Sequence, residues 1–182
     1  MANLTIFGIL SAGIFFLSWR TLFHIKSHGF YRFFGWEGLA WVLAVNYKHW
    51  FENPFSTNQL ISWILLFYSI WLVGAGMYEI LRKGKPSSSR NDSKLFSFEK
   101  TTELVETGVF RHTRHPLYAS LIFVTWGILL KNPTLILCVI SAVSTSLFFL
   151  TSRYDEKECI AYFGEKYRIY MKNTKMFIPF VF

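Results

Sequence analysis

Long apolar runs alternate along this chain with short polar segments rich in Lys and Arg. A helix that crosses a bilayer needs roughly 20 predominantly apolar residues. Five runs are candidates: residues 4–19, 33–47, 60–81, 117–130 and 134–152. The third is the cleanest, while the second is short and carries Glu37. The first lacks a basic leader and an evident cleavage site, so it reads as a retained helix rather than a signal peptide. Lys131-Asn132-Pro133 is a tight turn, which makes the last two runs a hairpin.

The pattern predicts an all-α, polytopic transmembrane bundle of about five helices. It is a single integral-membrane domain, residues 1–182, with N-terminal helices in 1–82 and a C-terminal region in 95–182 around the hairpin 117–152. Residues 83–93 are rich in Ser and Lys and predict a flexible linker. Residues 154–172 predict an amphipathic helix lying against the membrane, with Ile160, Phe163, Tyr167 and Tyr170 on its apolar side. No internal repeat is evident.

Composition agrees with a lipid environment. Hydrophobic residues make up 52% of the chain and charged residues 16%, against roughly 25% charged in a soluble domain. Twenty Phe, seven Trp and nine Tyr suit the interface between oil and water. The net charge of +8 would suggest nucleic acid on a soluble protein. Here the basic residues sit between apolar runs, so they read as topology signals and the nucleic-acid reading is set aside.

Arg20, Lys26 and Arg32 follow the first run. The long third loop holds Arg82, Lys83, Lys85, Arg90, Lys94, Lys100, Arg111 and Arg114, whereas residues 48–58 are nearly neutral. The positive-inside rule then puts the N-terminus outside and the C-terminus in the cytosol, with the first and third loops also cytosolic. The two cysteines, Cys138 and Cys159, form neither a disulfide framework nor a zinc spacing.

Residues 104–118, reading LVETGVFRHTRHPLY, place two Arg and two His just before a membrane run. Pro116 suits the first turn of that helix, where its missing N–H is unpaired anyway. Free N–H groups at such a start favour an anion. Residues 117–130 reach only about 21 Å at ~1.5 Å per residue, against a hydrocarbon core of roughly 30 Å. The motif is therefore expected near or below the headgroups.

A second cluster, Arg153-Tyr154-Asp155-Glu156-Lys157-Glu158, follows the last run, and the hairpin brings it back beside the first. A basic site facing carboxylates suits a zwitterion: the carboxylates accept from a ribose diol and the basic group holds an amino-acid carboxylate. Glu37, in an apolar run, is a functional candidate because burying an ionisable group is costly. His112 and His115 are three apart, but no third ligand is obvious, so no metal is expected. His24, His28 and His49 read as interfacial.

Taken in order, these motifs resemble the isoprenylcysteine carboxyl methyltransferase family. The residues concerned are 104–110 (Leu-Val-x-x-Gly-Val-aromatic), 114–118 (Arg-His-Pro-x-Tyr), 130–133 (Leu-x-Asn-Pro), the Asp155-Glu156 pair, and 163–170 (Phe-Gly-x-x-Tyr-x-x-Tyr). The resemblance covers roughly residue 95 to the C-terminus. It implies a membrane methyltransferase that binds S-adenosylmethionine between the hairpin and the cytosolic segments around it. It also implies cofactor contacts at Thr102, Glu103, Leu104, Val105, Phe110, His115, Pro116, Leu117 and Tyr118, with Asp155 or Glu156 in the carboxylate role.

Three positions depart from the family pattern. Phe110 stands where the family usually has Tyr, Ser120 where it has Gly, and Thr151 where it often has an Arg placed to meet the substrate. Cofactor use therefore carries over better than substrate identity.

The expected activity is methyl transfer to an apolar or lipid-linked acceptor, such as the carboxylate of a prenylated cysteine. A carboxylate acceptor needs no general base, whereas an amine or phenol must lose a proton. No His or carboxylate is clearly dedicated to that, which favours a carboxylate or thiolate. Arg114 or Arg153 would orient an anionic acceptor and Tyr118 would line the methyl channel. The alternatives are a phospholipid N- or small-thiol S-methyltransferase, an NADPH-dependent membrane reductase, and a non-enzymatic membrane component. The expected partners are the bilayer and the acceptor.

Overall fold

The computed structural model describes residues 1–87, 90 and 95–181. The chain is all-α, with six α-helices and no β-strand among the described residues. They are α1 (Ala2–Ser18), α2 (His28–Asn46), α3 (Thr57–Lys83), α4 (Pro116–Leu129), α5 (Leu135–Phe163) and α6 (Glu165–Asn173). Part of the linker expected at 83–93 lies outside the described residues.

Local chemistry sets the boundaries. The Ser56 hydroxyl accepts from the Gln59 N–H and opens α3, and Thr134 does the same for Leu137 at the start of α5. Pro116 occupies the first turn of α4. Gly164, at φ +62° and ψ −134°, ends α5 in backbone space that side chains with a Cβ avoid.

Two expected boundaries change. α2 begins at His28 rather than residue 33, because its first turn is anchored elsewhere: the His28 N–H and Nδ1 pair with Glu158 at 3.1 and 2.7 Å. Arg32 is therefore a buried helix residue and not a loop anchor. The amphipathic helix expected over 154–172 is not one element. Its first half continues α5 to Phe163, and Gly164 breaks it before the nine-residue α6. Tyr167 and Tyr170 are buried against the protein.

The helices pack through small residues, as helices do when apolar burial alone does not drive them together. On α2, a Cβ at Gly35 would fall 2.6 Å from the Phe148 ring, and one at Gly38 2.0 Å from Ser144 Oγ. Between α3 and α4, the Ser62 and Ser69 hydroxyls donate to the carbonyls of Gly127 and Ser120 at 2.6 and 2.9 Å. Ser120 thus fills the place of a family Gly without parting the helices. A core of Val42, Leu66, Ile128, Leu129 and Leu137 joins α2, α3, α4 and α5. α1 leans on α2 through an edge-on Phe7–Trp41 contact.

α3 and α5 are long and apolar enough to cross a membrane, with mean hydropathy 1.9 and 2.1 in their most apolar windows. Only 28% and 33% of those windows is buried. Their outer faces expose Ile61, Ile64, Phe67, Ile70, Val139 and Val143. Apolar faces turned outward are what lipid accommodates and water does not, which gives the protein its membrane character. α4 has 14 residues, as short as expected.

The antiparallel order gathers different chemistry at the two ends. One end joins the start of α2, the end of α3, the start of α4 and the end of α5. The other joins Asn46, Gln59 and Lys131: Asn46 Nδ2 donates to the Ile128 carbonyl at 2.9 Å, and Lys131 Nζ to Gln59 Oε1 at 2.9 Å.

Candidate functional site

The first end contains a cavity of about 570 Å³, within the range of small-molecule sites. Its charged and polar wall includes Arg32, Glu99, Arg114, His115, Tyr118 and Asp155. Much of the rest is apolar: Val105 and Phe110 from the third loop, Leu117 from α4, and Phe163 near the end of α5. Leu17, Val73 and Met77 also reach it, and both Leu17 and Val73 are exposed on the outer faces of α1 and α3. The cavity thus opens on an apolar surface.

Each polar group is positioned by a separate element. Turning the chain at Lys131-Asn132-Pro133 brings the start of α4 beside the end of α5. There Arg114 Nε donates to Glu156 Oε1 at 2.6 Å, and its Nη1 to the Thr174 carbonyl at 2.7 Å. The C-terminal segment straps the same motif through its backbone. The N–H groups of Arg114 and His115 donate to the Lys175 and Met176 carbonyls at 2.9 and 3.1 Å. His115, the N-cap of α4, places Nδ1 3.4 Å from Asp155 and Nε2 3.5 Å from Glu156. Burial lowers the His115 pKa, but the two carboxylates outweigh it and raise it above the ordinary histidine value. The two carboxylates thus favour the protonated ring, which donates. Tyr170 closes the wall by donating its hydroxyl to the Phe110 carbonyl at 2.7 Å. Phe110 therefore needs no hydroxyl of its own to be fixed there.

A second network ties α2 to the third loop and α5. His28 lies between Glu158, at 2.7 Å from Nδ1, and Glu99, at 3.6 Å from Nε2. Arg32 Nη1 also donates to Glu99. Burial would raise the Glu99 pKa, but Arg32, His28 and the Phe96 N–H hold it down at about 2. Donor atoms of His28, Asp155 and Glu158 lie within 4.8 Å of one another. The short bond from His28 to Glu158 and the flanking Glu99 make this an ion-pair network. His112 and His115 do not converge: the His112 ring lies against Phe180, 5.3 Å away.

Of the residues singled out in the sequence, the cavity wall brings together Leu104, Val105, Phe110, Arg114, His115, Pro116, Leu117, Tyr118 and Asp155. Five others lie elsewhere. Arg153 is half exposed and pairs with Glu156 Oε2 at 2.9 Å, on the side of α5 that faces Lys172 and Lys175. Thr102 and Glu103 are held on the outer side of the loop by Lys85, through its carbonyl at 2.9 Å and its ammonium at 2.7 Å. Glu156 is buried behind the wall, engaged by both arginines. Glu37 leaves Oε1 buried without a hydrogen-bond partner and lies outside the cavity wall.

Sequence reasoning missed Arg32, Trp36, Phe96, Glu99 and Cys159, all on the wall. The signal for Arg32 and Trp36 was their four-residue spacing, which puts them on one helix face. It was lost when the helix was started at residue 33.

The fold and site define a helical membrane protein with a charged, ligand-sized cavity that opens to its apolar side. Residues 89–161 match the model of the isoprenylcysteine carboxyl methyltransferase (ICMT) family. Protein-S-isoprenylcysteine O-methyltransferases of Rattus norvegicus and Homo sapiens are each 31% identical over 69% of this chain and 47% of their own length. Methanethiol S-methyltransferase of Crocosphaera subtropica is 32% identical over 40% of this chain and 28% of its own length. The chain thus spans half or less of each relative. No solved structure matches it.

Proposed function

We propose that this protein is a methyltransferase that moves the methyl group of S-adenosylmethionine to an apolar acceptor bearing a carboxylate or thiolate. The observation that carries this reading is the cavity itself. A cluster of His115, Asp155 and Arg114 stands on its wall, and Leu17, Val73 and Met77 open it to the apolar face.

The wall residues fit the zwitterionic donor. His115 Nε2 is buried 3.5 Å from Glu156 without a closed hydrogen bond, and in this reading that cationic edge, with Arg114 next to it, meets the amino-acid carboxylate. Asp155 faces the cavity as an acceptor for a ribose diol or an ammonium. Leu104, Val105, Phe110, Pro116, Leu117 and Tyr118 supply the apolar remainder. When bound, S-adenosylmethionine supplies an already activated methyl group. The protein's part is alignment and exclusion of water. Burial of Tyr118 and His115 serves the second.

The five longer helices span the bilayer in this reading, with the cavity end cytosolic. The names of the relatives cover both an isoprenylcysteine and methanethiol as acceptors.

The test is donor binding by the purified protein in detergent. Wild type is expected to bind S-adenosylmethionine and not NADPH. Asp155→Asn is expected to weaken donor binding about tenfold or more, with the unfolding midpoint little changed. A wild-type protein that prefers NADPH, or an Asp155→Asn variant with undiminished donor affinity, sinks the proposal.

A further inference from the structure

Arg32 lies on the second turn of α2, outside the region that matches the family. Its side chain is only 3% exposed. The guanidinium sits against Phe96 and Trp36, 4.3 and 5.0 Å from their ring centroids, and Nη1 donates to Glu99. Nε and Nη2 are buried with no hydrogen-bond partner, although the residue lines the cavity. Buried donors are nearly always satisfied in native proteins, so this pair calls for a ligand.

The identity of the free nitrogens matters. Nε–H and the neighbouring Nη2–H form one edge of the guanidinium, the edge that meets both oxygens of a carboxylate in parallel bonds. Glu99 takes the remaining nitrogen. It fixes the rotation of the group and leaves that edge unpaired. The other cations on the wall differ. Arg114 is committed through Nε and Nη1 to Glu156 and Thr174, and His115 offers one ring nitrogen. At position 151, Thr151 is buried and donates to the Leu147 carbonyl at 2.8 Å.

We propose that Arg32 is the docking group for a carboxylate on the methyl acceptor, which it grips through Nε–H and Nη2–H. The inference rests on the methyltransferase reading above and narrows its acceptor to an acid. In the transfer, a carboxylate oxygen attacks the methyl carbon of the sulfonium. An O–C bond forms, the C–S bond breaks, and its electron pair goes to sulfur. No proton moves, and a neutral ester and a neutral thioether result. The carboxylate loses its charge along this path, so its pair with Arg32 is stronger before transfer than after it. Arg32 therefore acts in capture of the acid and release of the ester, and its loss raises KM more than it lowers kcat.

The probes are N-acetyl-S-dodecylcysteine, its carboxamide, and dodecanethiol, each titrated into the full chain in detergent. Wild type is expected to bind the acid about tenfold or more tighter than the amide. Arg32→Lys, which keeps the charge and loses the fork, is expected to retain part of that preference. The double variant Arg32→Gln with Glu99→Gln leaves neither charge unpaired and is expected to abolish it. Affinity for S-adenosylmethionine should fall less steeply than affinity for the acid throughout.

Three results would overturn the assignment. They are a wild type with no preference for the acid over the amide, a double variant that keeps the preference, and variants that lose donor affinity as steeply as acid affinity. The last would give Arg32 to the donor's own carboxylate. Donor binding by wild type, read in the same preparation, tests the methyltransferase reading separately.

Discussion

Two buried cations between aromatic rings sit at opposite ends of this protein. Lys131, in the turn after α4, holds Nζ 3.6 Å from the Trp63 ring centroid and 5.2 Å from that of Trp50, and bonds Gln59. Arg32 is stacked in a similar way by Phe96 and Trp36. The surroundings differ. Lys131 closes the far end of the bundle and lines no cavity among those described. Arg32 faces a cavity, is anchored by a carboxylate, and keeps two donors unspent. The aromatic box is a packing solution common to both. What marks a binding group is the unsatisfied chemistry left facing space.

That contrast is tested most severely at the cavity end. Breaking a buried ion pair strands its partner, at a cost of about 3–5 kcal/mol. Arg114→Ala would leave Glu156, 3% exposed, with only the outer Arg153 and His115, and would release the Thr174 carbonyl. Thermal unfolding in detergent should show a loss near the lower bound of that range, together with loss of donor binding. An unfolding midpoint equal to wild type would mean that the motif is not held as described.

A smaller effect follows from Glu99, whose pKa is depressed from 4.5 to about 2. A carboxylate with a depressed folded pKa contributes stability that is present above its unfolded value and is lost as pH falls through the folded one. The contribution is on the order of 3 kcal/mol. The stability gap between wild type and Glu99→Gln should therefore be full at pH 6 and shrink between about pH 4.5 and pH 2. A gap that stayed constant over that window would remove the Arg32–Glu99–His28 network as the cause. His115 has the opposite sign. Its raised pKa contributes stability below about pH 6.5 that fades as pH rises through the folded value.

The helices were legible because apolar runs of the required length leave few alternatives. The hairpin was legible because Lys131-Asn132-Pro133 can only turn. The meeting of Arg114 and His115 with Asp155 and Glu156 followed from that turn. Three things were not legible. Gly164 breaks residues 154–172 into two helices, and a single glycine in an amphipathic pattern does not announce a positive φ. The contribution of α2 also escaped, because Arg32 looked like one more cytosolic anchor. Its burial depends on Glu99, which is distant in sequence and meets it only in the folded chain. Arg153 failed for the reverse reason: proximity in sequence to Asp155 does not set which side of the helix faces the cavity.

Lys131 supplies the smallest test. Burial lowers its pKa from the ordinary lysine value, yet its ammonium has a neutral acceptor in Gln59 and two aromatic faces, so little is left unsatisfied. Lys131→Met keeps the length and apolar stem of the side chain, and methionine sulfur also packs well against aromatic rings. It forfeits the cation–π attraction and one hydrogen bond, a loss of about 1 kcal/mol or less after the relief of desolvation. The expected outcome is an unfolding midpoint within a few degrees of wild type and unchanged affinity for S-adenosylmethionine and for acidic acceptors. Equal loss of acceptor binding in Lys131→Met and in the Arg32 variants would show that the two boxes are coupled through the bundle. The free guanidinium edge would then no longer separate a binding cation from a packed one.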